Sequence, residues 1–259
     1  MLKKYRKYAR VTIYFLSFII PVLFMVMISV SLKFYPFGEL SSLVADTQVQ
    51  FVDYIAYLKS VFYGNNDLLY TFSKTMGGDM AGFAFYYLGN PFVYLLLLVP
   101  NEKLSMGILF MIILMMGLSS LFFNIFINNT YGLRWSSIIF SVAYAFMGYF
   151  VAYFNCIIYF NNVILLPIII LGLYELVTKE RKNFKYVFFL ALSIITNYYI
   201  GFMTCIFCGL FFIYLLVIKY KFKRDLIKYL KVTCIFIVSS IFAVLLSSVG
   251  LITVLISLS

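Results

Sequence analysis

No histidine occurs anywhere in this chain, so any proton it abstracts must go to a carboxylate, and carboxylates are scarce. Glu39, Asp46, Asp53, Asp67, Asp79 and Glu102 fall between two apolar runs near the amino end, and Glu175 lies near the end of a later run. Asp46 stands out because the stretch from Glu39 to Phe51 sets acid and amide side chains just beyond a membrane-length apolar run. Asp46 and Gln50 are four apart, so a helix would put them on one face, with Phe51, Tyr54, Ile55 and Leu58 on another. Such a helix mounts a carboxylate at a lipid surface, beside amide and aromatic groups that can bind a polar substrate. The plainer alternative is that Asp46 caps a helix starting near Thr47, a position that suits aspartate, and spacing leaves both open. Further on, Gly77 and Gly78 permit backbone conformations or close approaches that a side chain would block, which fits a loop turn and a substrate-facing loop equally well.

The elements that must position these groups are apolar helices. The chain has 259 residues, of which 64% are hydrophobic, 21% aromatic and 11% charged, with a mean hydropathy of +1.03. A soluble domain with so little polar surface would aggregate. Apolar runs of roughly 20 residues between short charged loops are what helices need to cross the hydrocarbon core. The expected fold class is therefore an all-α polytopic membrane protein. The net charge of +11 sits in short clusters between the apolar runs, the pattern of cytoplasmic loops, so the basic balance points to the lipid bilayer and not to nucleic acid.

Taken in order, residues 1–10 are basic and cytoplasmic, and 11–32 form a first span, which is read as uncleaved because it is long and lacks a small-x-small cleavage site. From Lys33 to Glu102 there are three positive charges (Lys33, Lys59, Lys74) against the six acids named above, so the stretch 33–103 is expected outside. Within it, residues 50–62 read as an amphipathic interfacial helix, 64–67 as a turn and 92–99 as an interfacial or re-entrant piece too short to span. Residues 104–259 supply the remaining bundle, with spans near 104–127, 135–152 and 163–177, a hairpin within 186–218 and a last run near 232–258. That makes about seven spans in a single transmembrane domain. A polar break at 153–162 holds Asn155, Tyr159, Asn161 and Asn162, and the chain ends inside an apolar run as if it were the front part of something longer.

Cys156, Cys205, Cys208 and Cys234 lie in or beside apolar runs and read as packing residues; the single C-x-x-C has no second pair to make a zinc site. No cofactor is identifiable, and a divalent metal, though compatible with an acidic loop, has no ligand pattern behind it. Asn128-Asn129-Thr130 matches a glycosylation acceptor but falls on the expected cytoplasmic side.

An ordered series of short motifs runs along the chain. Asp46-x-x-x-Gln50-Phe51, Gly64, Ser73 with Gly77-Gly78, Tyr86-Tyr87-x-x-Asn90-Pro91-Phe92 and Pro100 resemble the first external loop of the bacterial YfhO-type membrane proteins. Ser141-x-x-Tyr144-Ala145-Phe146-x-Gly148-Tyr149, Asn155, Leu166-Pro167 and Asn197-Tyr198-Tyr199-x-Gly201 continue the pattern in the same order. Near Pro167, where that family tends to have Trp-Leu-Asp, this chain reads Tyr159-Phe160-Asn161.

The resemblance implies a membrane glycosyltransferase of the C-type fold (GT-C-like), with a long first external loop carrying interfacial helices. It would use a polyprenyl-phosphate-linked sugar as donor and a cell-envelope polymer such as lipoteichoic acid as acceptor. By motif position it implies Asp46 as catalytic base; the residues read with it as candidates for substrate binding are Gln50, Lys74, Gly77, Gly78, Tyr86, Tyr87, Asn155, Asn161 and Tyr198. Charge developing on a leaving phosphate needs cations or backbone donors; Lys74 is the first candidate, with Lys59 and Lys103 as alternatives, though each taken singly reads more readily as an interfacial lysine on lipid headgroups. The competing readings are a non-enzymic transporter or flippase of lipid-linked sugars, and an inactive truncated membrane protein. Transporters concentrate ionisable groups near the membrane midplane, where this chain has very few.

Overall fold

The computed structural model describes residues 2–73, 76–154, 156–221 and 225–258. Helix α1, Leu2–Ser31, leads into the stretch of residues 33–103, where a π turn at Thr47–Phe51 runs directly into α2, Val52–Phe62. Two short strands, β1 (Tyr70–Thr71) and β2 (Gly78–Asp79), pair antiparallel. The short helix α3, Ala81–Leu88, and a 3-10 helix, Pro91–Leu98, meet at a bend of 94°. The bundle then follows: α4 (Leu104–Tyr131), α5 (Ser137–Ala145), α6 (Gly148–Ala152), α7 (Phe160–Lys179), α8 (Phe184–Thr196), α9 (Tyr198–Lys219), α10 (Leu226–Leu246) and α11 (Ser248–Leu258).

Among the described residues, five helices are long and apolar enough to cross a membrane: Arg6–Ser31, Asn101–Tyr131, Ile157–Lys179, Tyr198–Lys219 and Leu226–Leu246. The bent pair at Ala81–Leu88 and Pro91–Leu98 would be a sixth if it is one broken span. The seven expected crossings thus divide into full-length helices and shorter pieces. The crossing expected at 135–152 is a short stretch interrupted between α5 and α6, and the first arm of the 186–218 hairpin is α8, with 13 residues. The last run breaks at Ser247, whose hydroxyl donates to the Val244 carbonyl at 2.9 Å and so competes with the helix's own hydrogen bonds. Apolar length reports how far a chain could reach in lipid, whereas Gly148 and the Ser247-Ser248 pair mark where helices stop or bend.

Two helices form the centre. Helix α4 packs against α1, α5 and α7, and α7 packs against α4, α8 and α9. Of the apolar window of α7, 72% is buried, against 17% for α10, which places α10 at the rim. Outward side chains such as Phe15, Phe202, Ile206 and Phe242 are exposed, as lipid-facing residues must be. With lipid as apolar as leucine, association rests on close packing and interhelical hydrogen bonds. A Cβ on Gly172 would sit 2.6 Å from the Tyr186 backbone nitrogen, so α7 and α8 touch through this missing side chain.

Buried amides add polar staples. Asn124 donates to Ser137 and Ser141 at 3.1 and 3.0 Å, joining α4 to α5, and Asn128 donates to Ser137 at 3.0 Å. Asn162 accepts from Ser193 and Thr196 at 3.1 and 2.9 Å and donates to the Asn197 carbonyl at 3.2 Å, fixing the end of α8 to the start of α7.

Candidate functional site

The segment ahead of α2 turns sharply at Ala45, whose φ of 48° lies in the left-handed region. For a residue with a Cβ this costs about 1–2 kcal/mol, and it precedes the acid directly. Asp46 then occupies the N-cap place before the π turn but makes no side-chain capping hydrogen bond. The capping alternative is therefore set aside. The exposed carboxylate is joined instead by the Cys156 thiol, which donates to Oδ2 across a long 3.8 Å.

Asp46 and Gln50 line one cavity of about 200 Å³, as their spacing predicted, and it is closed by Tyr86, Tyr87, Cys156 and Tyr159 from distant parts of the chain. The Tyr87 hydroxyl donates to the Gln50 side-chain oxygen at 2.8 Å, which fixes the amide and commits its oxygen. Tyr54 stacks on Tyr87 with ring centroids 4.5 Å apart, so α2 and α3 meet through aromatic faces. Burial, and after it the Asp46 charge and hydrogen bond, push the Cys156 thiol above its ordinary pKa.

A second cavity, of about 420 Å³, lies behind the same tyrosines. Tyr86, Tyr87 and Tyr159 belong to both, and Gly82, Phe83, Tyr198, Tyr199, Val254 and Ser257 complete it. The Tyr86 and Tyr159 hydroxyls stand 3.3 Å apart in the shared wall. The backbone of α3 comes against the end of α8 at Gly89, where a Cβ would lie 2.6 Å from the Ile195 carbonyl oxygen. An Asn197 side-chain donor also reaches the Tyr86 carbonyl at 3.5 Å. A larger cavity of about 450 Å³ between α8, α9 and α10 has an apolar lining with Tyr186 and Ser240 and no carboxylate.

Of the residues expected to act together, the fold unites Asp46, Gln50, Tyr86, Tyr87 and Tyr198. Gly77 and Gly78 line neither cavity. Gly77 takes φ 91° in the turn before β2 with the Tyr70 hydroxyl where its side chain would be, and Gly78 pairs with Thr71. Asn161 also lines neither: it is 1% exposed, and both polar atoms of its amide lack a partner among the described residues. Lys74 and Asn155 lie outside the described residues. Lys59 is buried, donating to the Val99 carbonyl and to Asn101 at 3.0 Å, and burial lowers its pKa. That engagement joins α2 to the start of α4 and removes Lys59 from the cations open to a substrate. Lys103 is exposed.

Sequence reasoning assigned no role to Tyr159 and read Cys156 as packing. The signal for Tyr159 was its place in the polar break beside Asn161; Cys156 gave none. Among the described residues no group of three or more acids and cysteines converges as a metal site would.

No curated protein and no solved structure matches the chain. A family described as Bacterial membrane protein YfhO matches residues 17–259, a range that takes in Asp46, both tyrosine-walled cavities and all five long helices in whole or in part. On that extent of match, the chain belongs to the YfhO family of bacterial membrane proteins.

Proposed function

We propose that the chain acts as an inverting membrane glycosyltransferase of GT-C-like arrangement. It takes a sugar from a polyprenyl-phosphate carrier at the outer leaflet and gives it to a hydroxyl of a cell-envelope polymer such as lipoteichoic acid. The supporting observation is a carboxylate that does no capping, set in a small polar cavity that shares a tyrosine wall with a larger aromatic one.

Asp46 takes the proton of the acceptor hydroxyl as its oxygen attacks the anomeric carbon from one face. The bond from that carbon to the phosphate oxygen breaks on the other face, and its electron pair leaves with the phosphate. Gln50, held by Tyr87, orients the acceptor, while Tyr86, Tyr87 and Tyr198 offer ring faces and hydroxyls to the sugar. Charge on the leaving phosphate needs a nearby cation, a role that sequence position gives to Lys74.

The test is transfer from a polyprenyl-phosphate sugar by the protein in liposomes. Asp46→Asn and Asp46→Ala should each lower the rate about 100-fold or more, the scale of a lost general base, with expression and folding retained. Unchanged transfer in either variant removes Asp46 as base, and carrier flipping by the unaltered protein without transfer favours the flippase reading.

A further inference from the structure

At the other end of α4, roughly 40 Å along the helix from Leu104 at 1.5 Å per residue, a cavity of about 300 Å³ is lined by Ile127, Tyr131, Arg134, Ser136, Ser137 and Phe140. We infer that it binds an anionic glycerophospholipid, with the phosphate on Arg134 and an acyl chain along Ile127 and Phe140. The site is independent of the proposed sugar transfer.

The cation is the first reason. Several basic side chains on this side of the bundle are ion-paired, Lys179 and Lys185 to Glu175 at 2.9 and 3.2 Å and Lys219 to Glu180 at 3.3 Å, whereas Arg134 lines a cavity. Arg134 is exposed, and its guanidinium has no hydrogen-bond or ion-pair partner among the described residues. Its backbone is nevertheless pinned. The Arg134 N–H donates to Asn128 at 3.1 Å, and its carbonyl accepts from the Ser137 hydroxyl at 2.6 Å. Buried Asn124, Asn128, Ser137 and Ser141 thus hold a loop whose cation is left unpaired. A guanidinium presents paired donors that match two phosphate oxygens.

The order of the lining is the second reason. Ile127 lies one helical turn deeper along α4 than Tyr131, and Phe140 one turn deeper along α5 than Ser136, so the wall passes from cation and hydroxyls to apolar side chains. Ser136 makes no side-chain capping bond, which leaves its hydroxyl available to a phosphate. A free phosphate would use only the upper half of this wall, whereas a phospholipid uses both. Exposed Trp135 and Tyr131 flank the site, as aromatic residues do at the headgroup level. Under the orientation set by the basic loops this is the cytoplasmic leaflet, the one whose anionic lipids attract basic residues.

The experiment uses the full chain, purified and delipidated in detergent, with bound lipid counted by native mass spectrometry. Phosphatidylglycerol should be retained in preference to phosphatidylcholine, and Arg134→Gln should weaken that retention about ten-fold or more, as expected for a lost charge-assisted contact. Arg134→Lys should restore part of it, and Arg181→Gln, at an exposed cation outside the cavity, should leave it unchanged. Ser136→Phe, which fills the cavity with Arg134 intact, should also release the lipid, so a folding failure of one variant does not decide the matter. Equal retention in the Arg134→Gln and unaltered proteins overturns the site. So does phosphatidylcholine binding as tightly, and displacement of the lipid by equimolar inorganic phosphate would show that a free anion is the ligand.

Discussion

Asp46 can be followed through the cysteine beside it. The Cys156 thiol is raised by burial and by the adjacent carboxylate, because a thiolate is disfavoured next to a negative charge. With Cys205, Cys208 and Cys234 replaced by alanine, alkylation of Cys156 should show a pH midpoint above that of a free thiol. Asp46→Asn should move the midpoint down and speed alkylation at a fixed, mildly alkaline pH. An unchanged profile would mean that no ionised carboxylate stands beside the thiol. Asn161 invites the opposite treatment. Both its amide atoms are buried without partners among the described residues, and an unpaired buried polar group costs about 1–3 kcal/mol. Asn161→Leu, which keeps the branched outline without the polar atoms, should raise the thermal midpoint of the detergent-solubilised protein, by the equivalent of about 1 kcal/mol or more. A fall would show that the amide has a partner in solution.

Helices in this bundle meet where side chains are missing. At Gly172 the obstacle to a Cβ is the Tyr186 backbone itself, and at Gly201 it is the Ile194 Cα at 2.7 Å, so neither can swing aside. Gly172→Ala should therefore push α8 off α7 and cost about 1–3 kcal/mol, the usual range for overpacking, read as earlier unfolding in a denaturing-detergent titration. The elements between α1 and α4 depend on Lys59 in a comparable way. Lys59→Met keeps the length and apolar stem but strands the Val99 carbonyl and drops the Asn101 contact. It should destabilise this joint by about 1–3 kcal/mol, seen as faster proteolysis between residues 91 and 103 while the long helices stay protected.

At the scale of the whole molecule, the charge distribution predicts which loops face out. In intact cells a membrane-impermeant maleimide should label Asn65→Cys in the external stretch and not Lys182→Cys in a basic loop; the reverse pattern would invert the chain and move Asp46 to the wrong side for an envelope acceptor. The sequence by itself determined the membrane class, the long helices and the pairing of Asp46 with Gln50, because apolar run length and spacing within one turn are local properties of the chain. It also led to the family through the order of its motifs. Only the tertiary structure decided what faces Asp46. Cys156 comes from 110 residues away and Tyr159 from the same distant segment, while Asn161, two positions further, is turned out of both cavities into the packed interior. Neighbours in sequence part company there because a helix start at Phe160 sets which side chains point into the cavity, and the angle at which α7 packs against α4 and α8 is encoded by contacts across the whole bundle.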